Sequence, residues 1–103
     1  MSWGFLKPQP VFPTKLGEKL CLMKKISESE RSFSRIQVIR IEGKEKLYNI
    51  SYVHVKHYPW AEPIFTRSSK PYINERQARK EFQELLKECY EKVSCEDVEY
   101  VFW

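Results

Sequence analysis

The chain has 103 residues, of which 42% are hydrophobic and 15% aromatic, and a formal net charge of +4. This length predicts one domain, and the hydrophobic content excludes an intrinsically disordered protein. The mildly basic balance permits an acidic protein or a nucleic acid as partner without requiring either. No apolar run is long enough to cross a bilayer, so no membrane association is expected.

The cysteines indicate a reducing environment. Cys21, Cys89 and Cys95 are odd in number and form no Cys-x-x-Cys pair, which favours a cytoplasmic protein over a disulfide-stabilised secreted one. Cys21 lies in an apolar segment and Cys89 on an apolar helix face, so both are predicted to be small core residues.

Residues 1–15 are predicted to form an N-terminal arm. The prolines at positions 8, 10 and 13 forbid a helix and favour an extended path. The aromatic side chains of Trp3 and Phe12 predict that this arm packs against the domain.

Three segments rich in β-branched and aromatic residues are predicted strands, at 16–26, 33–41 and 47–58. A hairpin through Gly43 is predicted to join the second and third. The register that sets Ile41 opposite Leu47 also sets Val38 opposite Ile50, which pairs like with like. The apolar residues of both strands change face partway along, which indicates either a bulge or a sheet covered on both faces.

Residues 59–73 are predicted to be a long loop, because they contain Pro59, Pro63 and Pro71. A loop of this length is uncommon in a small domain and is often functional. Trp60 lies within it.

A helix is predicted over residues 74–93. Asn74 is a strong N-cap, and Gln77 stands where it would complete a capping box. Apolar residues then recur at helical spacing as one stripe: Ala78, Phe82, Leu85, Leu86, Cys89, Tyr90 and Val93.

The last residues, 97–103, alternate in polarity and are predicted to be an aromatic C-terminal strand or tail. Taken together, the elements predict a single α+β domain. An antiparallel β-meander of three to four strands would pack on one C-terminal helix, in the order β-β-β-α-β.

The charges of the predicted helix are arranged against its macrodipole, with cations in its N-terminal half and glutamates in its C-terminal half. Five cations are predicted to surround the helix N-terminus, where an anion such as phosphate is favoured: Arg67, Lys70, Arg76, Arg79 and Lys80. A solvated basic face, partly neutralised by helix glutamates, is the competing and favoured interpretation.

A second basic surface is predicted on the sheet, where tyrosines such as Tyr48 and Tyr52 alternate with basic residues such as Arg35 and Lys56. Such a face holds single-stranded nucleic acid by stacking and phosphate contacts. Packing of the tyrosines beneath the helix is the favoured alternative.

Catalysis and metal binding find little support in the sequence. His54 and His57 stand three apart on a predicted strand and therefore point to opposite faces. No glycine-rich phosphate loop or nucleophile motif is present, so no enzyme activity, metal or cofactor is predicted.

These observations predict a small non-enzymatic protein-interaction module, such as an adaptor or accessory subunit, with self-association left open. Its expected partner-binding anchors are the large aromatic residues outside the predicted core: Trp3, Trp60, Phe102 and Trp103. The alternative is a nucleic-acid-binding module that grips phosphates with the five cations at the helix start.

Overall fold

A computed structural model describes residues 9–42 and 46–103, so Trp3 and Gly43 lie outside the described residues. The chain forms one α+β domain in which an antiparallel sheet packs on a helix, as the sequence predicts. The described elements are β1 (Lys19–Lys25), β2 (Glu30–Arg40), β3 (Lys46–Tyr58), β4 (Ala61–Tyr72), α1 (Glu75–Lys87), β5 (Glu91–Val93) and a 3₁₀ turn at Glu99–Phe102.

The sheet has five strands in the order β4-β3-β2-β1-β5, where three to four were expected. The additional strands are β4 and β5. Within the described residues, the 13-residue α1 is too short to span a bilayer, and no other helix has the length and apolarity to do so.

The prediction of a loop over residues 59–73 is wrong, because most of this segment is the edge strand β4. An edge strand tolerates proline wherever the missing N–H would face away from its neighbour. Pro63 and Pro71 both lie within β4, which among the described strands pairs only with β3. The prolines therefore mark an edge strand and not a loop.

The predicted β2–β3 register is wrong by two residues. Ile39 lies opposite Leu47, and Ile36 lies opposite Ile50. A shift of two positions leaves every side chain on the same face, so the hydrophobic pattern cannot distinguish the two registers. The faces assigned from the sequence are correct for the same reason.

The change of face within the strands reflects coverage on both sides, since β2 and β3 pair without a bulge. Even-numbered strand residues pack beneath α1 and the arm residue Phe12, including Leu22, Ile36, Val38, Tyr48 and Ile50. Odd-numbered residues pack beneath the C-terminal segment, including Cys21, Phe33, Val53 and Val55. The helix and the C-terminal segment each cover only part of the sheet face on which they pack.

The C-terminal residues 97–103 contain a 3₁₀ turn, not a strand. Val98 and Val101 are both buried against the odd-numbered face. Residues three apart eclipse each other in a 3₁₀ turn, so this spacing directs both valines to the same side.

The helix begins where it was predicted but ends earlier. Asn74 Oδ1 accepts a hydrogen bond from Arg76 N at 2.8 Å and caps α1. The helix ends at Lys87, and Cys89, at φ 70°, turns the chain away. Cys89 is exposed, so its predicted place in the core is wrong.

The helix end is a Schellman motif. Cys89 N donates to Leu86 O, and Tyr90 N donates to Leu85 O, both at 3.2 Å. Glycine is the usual residue at the left-handed position of this motif, and its absence here explains why the sequence pattern continued the helix to residue 93.

We expect Cys89→Gly to stabilise the protein by about 1 kcal/mol, because a side chain at positive φ is strained and glycine is not. The free energy of unfolding in urea measures the effect. Glu88→Gly is the matched control, because Glu88 has φ −84° and no such strain to relieve. A lower denaturation midpoint for Cys89→Gly than for wild type would contradict the assignment of a strained, left-handed conformation to Cys89.

Candidate functional site

A groove lies on the sheet face opposite α1, where the C-terminal segment stops covering the strands. Its volume is about 300 Å³, and its lining includes Arg35, Ser51, Val53, Arg67, Ser69 and Phe102. We call it the arginine groove.

The strand register brings the groove residues together. Arg35 on β2 lies opposite Ser51 on β3, which lies opposite Ser69 on β4. Arg67 lies opposite Val53, one step further along the same face. The two arginines flank β3 on strands that are about 10 Å apart, a gap that two long side chains can span.

The C-terminal segment fixes both arginines. The Arg35 guanidinium lies 4.7 Å from the centre of the Phe102 ring, and the Arg67 guanidinium lies 4.9 Å from that of Phe65. Arg67 Nε also donates a long 3.4 Å hydrogen bond to Val101 O. Stacking on aromatic rings holds the planar guanidinium groups in place.

The groove is electrostatically unbalanced. No aspartate or glutamate is among its described lining residues. Arg35 Nε is buried and has no hydrogen-bond partner within the described part of the chain. Two arginines without an acidic neighbour among the described lining residues suit the groove to an anion.

The sequence analysis placed Arg35 on a basic sheet face and Arg67 at the helix start, but did not bring them together. The available signal was that both residues have odd numbers. The antiparallel strands pair odd residues with odd residues, so both side chains lie on the same face of the sheet. Using that signal required that β4 be recognised as a strand and that its pairing with β3 be known.

The five cations predicted at the helix start do not form one cluster. Arg67 lies in the arginine groove, on the face opposite α1. Lys70 and Lys80 line a separate helix-side groove that also contains Glu81 and Glu84. Arg79 pairs with Glu75 at 3.0 Å, and its guanidinium stacks over Phe12. Arg76 is exposed.

The predicted aromatic anchors have different environments. Trp60 and Trp103 are each 82% exposed. Phe102 is half-buried between Arg35 and the C-terminal apolar cluster, so it contributes to the fold as well as to the surface. Trp3 lies outside the described residues. Trp60 sits at the turn into β4, with its ring centre 6.4 Å from that of Tyr58.

The outer edge of β4 carries backbone groups that have no strand partner in the part of the chain that the structure describes. His57 N donates to Ser29 O at the start of β2, so odd-numbered residues of β3 bond toward β2 and even-numbered ones toward β4. Even residues of β3 lie opposite even residues of β4, as Ile50 lies opposite Lys70. The odd residues of β4 therefore direct their N–H and C=O groups outward.

Three consecutive odd positions, Phe65, Arg67 and Ser69, present both an N–H and a C=O at this edge. Pro63 and Pro71 stand at the odd positions beyond them and supply no N–H. We call the stretch 65–69 the free edge.

Tyr48 and Tyr52 are occupied beneath the helix and are not free to stack on bases. Each hydroxyl donates a 2.8 Å hydrogen bond to a carboxylate of α1, Tyr48 to Glu75 and Tyr52 to Glu81. Burial, followed by the bond to Glu81, raises the pKa of Tyr52. Packing of these two tyrosines beneath the helix, which was the favoured alternative, is therefore what the structure shows.

The Tyr48–Glu75 bond makes a prediction about acid stability. The Tyr48 hydroxyl first, and Arg79 second, lower the pKa of Glu75 below its usual value of 4.5. A depressed carboxyl pKa stabilises the fold above pH 4.5, and this stabilisation is lost as the pH falls through the folded-state pKa. We expect Tyr48→Phe to be less stable than wild type at pH 7, with the gap narrowing below pH 4.5.

Urea unfolding at pH 7 and pH 3 measures this gap. Tyr58→Phe is the control, because Tyr58 packs near Trp60 away from α1. A gap that stays constant with pH would show that the Glu75 bond contributes nothing.

Other reactive side chains are held in structural contacts. Burial, and then the neighbouring Cys95 thiol, raise the pKa of Cys21 to about 12, which keeps it protonated at neutral pH. His54 Nε2 lies 2.9 Å from Glu30 Oε2. Across residues 9–42 and 46–103, no group of three His, Cys, Asp or Glu residues is placed to hold a metal ion.

Comparison with protein-family models, curated protein sequences and solved structures finds no match to this chain. Its function is therefore argued from its own geometry.

Proposed function

We propose that this protein is a small non-enzymatic interaction module that binds an extended acidic segment of a partner protein along the free edge of β4. The observation that carries the proposal is the edge itself. It is a 12-residue strand that, within the described ranges 9–42 and 46–103, pairs only with β3, and its backbone groups at Phe65, Arg67 and Ser69 point outward.

Strand addition uses such an edge directly. Backbone hydrogen bonds supply affinity, and alternate side chains supply specificity. The prolines at 63 and 71 limit the stretch that can donate, so a partner strand would be confined to the residues between them.

The charge near the free edge favours an acidic partner. Arg67 is its central residue, and its side chain lies on the same face as Arg35. A partner residue opposite Arg67 would project onto this face, where an aspartate or glutamate would form a favourable cross-strand pair. Trp60, at the start of the strand, offers a large exposed ring as an anchor.

The test compares two substitutions at one position. Ser69→Pro removes an outward N–H without breaking a bond to β3, whereas Ser69→Ala keeps that N–H. Immobilised wild-type and variant proteins are exposed to lysate from the source cell, and captured proteins are quantified by mass spectrometry. We expect a partner retained by wild type and Ser69→Ala but lost with Ser69→Pro.

Circular dichroism must show that Ser69→Pro keeps the wild-type fold. Capture of the same partner by all three proteins would refute strand addition at this edge. Loss of the partner with Trp60→Ala would further identify Trp60 as an anchor, and sedimentation shows whether the partner is a second copy of the chain.

Nucleic-acid binding remains the alternative, although its five cations are dispersed over two faces. It predicts an affinity for DNA or RNA that falls steeply with added salt. The absence of any binding at low salt would exclude it. The three free cysteines support the proposed cytoplasmic location.

A further inference from the structure

We propose that the arginine groove is a binding site for a phosphate group, either free inorganic phosphate or the phosphate of a monoester. This site shares Arg67 and Ser69 with the free edge, but it uses their side chains, whereas strand addition uses their backbone groups. It adds a second ligand to the protein.

The donor set fits a phosphate. Arg35 and Arg67 both line one groove, together with the hydroxyl-bearing residues Ser51 and Ser69. Planar guanidinium groups bind phosphate oxygens with paired N–H···O bonds, and hydroxyls supply further donors. No described lining residue is acidic, so no carboxylate of the lining competes with a phosphate for the arginines.

The arginines are held in place before any ligand arrives. Arg35 is stacked on Phe102, and Arg67 is stacked on Phe65 and bonded to Val101 O. A ligand that meets fixed side chains loses less affinity to the cost of ordering them.

A second groove within the described residues, beside α1, lacks these properties. Lys70 and Lys80 share it with Glu81 and Glu84, so its charges are balanced. Lysines are also flexible point charges, without the planar fork of arginine. The comparison favours the arginine groove as the phosphate site.

The experiment is an NMR titration of the ¹⁵N-labelled full chain at low ionic strength and pH 7.5. Inorganic phosphate and phenyl phosphate are the two probes, and benzoate is the carboxylate control. We expect saturable shifts centred on Ser51, Val53 and Ser69 with either phosphate, and weaker binding of benzoate. Binding of both probes identifies the bare phosphate as the ligand, and binding of phenyl phosphate alone identifies a monoester.

Binding of phenyl phosphate should weaken at pH 5, because a phosphate monoester loses one of its two charges below its second pKa near 6. This change separates phosphate recognition from stacking of the phenyl ring.

Arg67→Gln is the decisive variant, and Arg76→Gln is its matched control. Both remove one positive charge, but Arg76 is exposed on α1, away from the groove. We expect Arg67→Gln to weaken phenyl phosphate binding at least tenfold and Arg76→Gln to leave it within twofold. Arg67→Lys keeps the positive charge but lacks the planar guanidinium group that can donate two parallel hydrogen bonds, so it should give an intermediate affinity.

Equal affinities for wild type and Arg67→Gln would overturn the proposal, as would shifts scattered over all basic residues. Trp60→Ala separates the two proposals, because it alters the anchor beside the free edge and leaves the groove intact. Retained phosphate binding by Trp60→Ala is therefore expected whether or not the partner is lost.

Discussion

Phe82→Ala should cost about 3–5 kcal/mol of the free energy of unfolding, a large part of the stability of a domain this size. The Phe82 side chain is only 3% exposed. Its ring centre lies 5.5 Å from that of Phe12, which in turn lies 5.6 Å from that of Tyr48. Loss of the ring leaves a cavity where the N-terminal arm, the helix and the sheet meet.

Urea unfolding followed by far-UV circular dichroism measures this loss. Phe82→Leu should be less destabilising, because it leaves a smaller cavity. Gln83→Ala is the control, because Gln83 is exposed on the same helix and should shift stability by no more than about 0.5 kcal/mol. If Phe82→Ala behaved like Gln83→Ala, the helix would not be anchored through this residue.

The sequence correctly predicted that Phe82 lies on the buried face of the helix, because helix starts and apolar stripes are local signals. Asn74 as N-cap and the spacing of Ala78, Phe82 and Leu85 identified the helix and its buried face. The end of the helix was missed because a cysteine, not a glycine, adopts the left-handed turn at position 89. The backbone conformation there is determined by the Schellman bonds and the packing of Tyr90, which the local sequence does not reveal.

The strand errors have a different cause. Proline within a segment predicts a loop unless the segment is known to be an edge strand. Whether a strand lies at the edge depends on the order of strands in the whole sheet. Residues 61–72 were therefore assigned to a loop. The register error at Ile36 and Ile50 arose because two registers of equal parity bury the same side chains.

Prediction of the arginine groove from the sequence required that β4 be recognised as a strand. Arg35 and Arg67 are neighbours only when β4 is a strand and its pairing with β3 is known. The groove also needs the C-terminal segment, which was predicted to be a strand or an aromatic tail and which contains a 3₁₀ turn. A site assembled from three distant segments has no local signature in the sequence.

Removal of residues 98–103 should unfold most of the protein or leave it close to its stability limit. Val101 is fully buried and Val98 nearly so, in contact with the odd-numbered face of the sheet. Burial of two valines contributes about 3–6 kcal/mol, before counting the exposure of Phe33 and Val53 beneath them. The measurement is the free energy of unfolding in urea, with the amide dispersion of the NMR spectrum as a check on folding.

A shorter truncation, removing only Phe102 and Trp103, separates the two roles of this segment. Both valines remain in that variant, and Trp103 is 82% exposed, so the fold should persist. The variant loses the aromatic ring on which Arg35 stacks, and phenyl phosphate should then bind more weakly to a folded protein. If both truncations left stability unchanged, Val98 and Val101 would not be core residues, and the C-terminal residues would have to be regarded as a surface tail available to a partner.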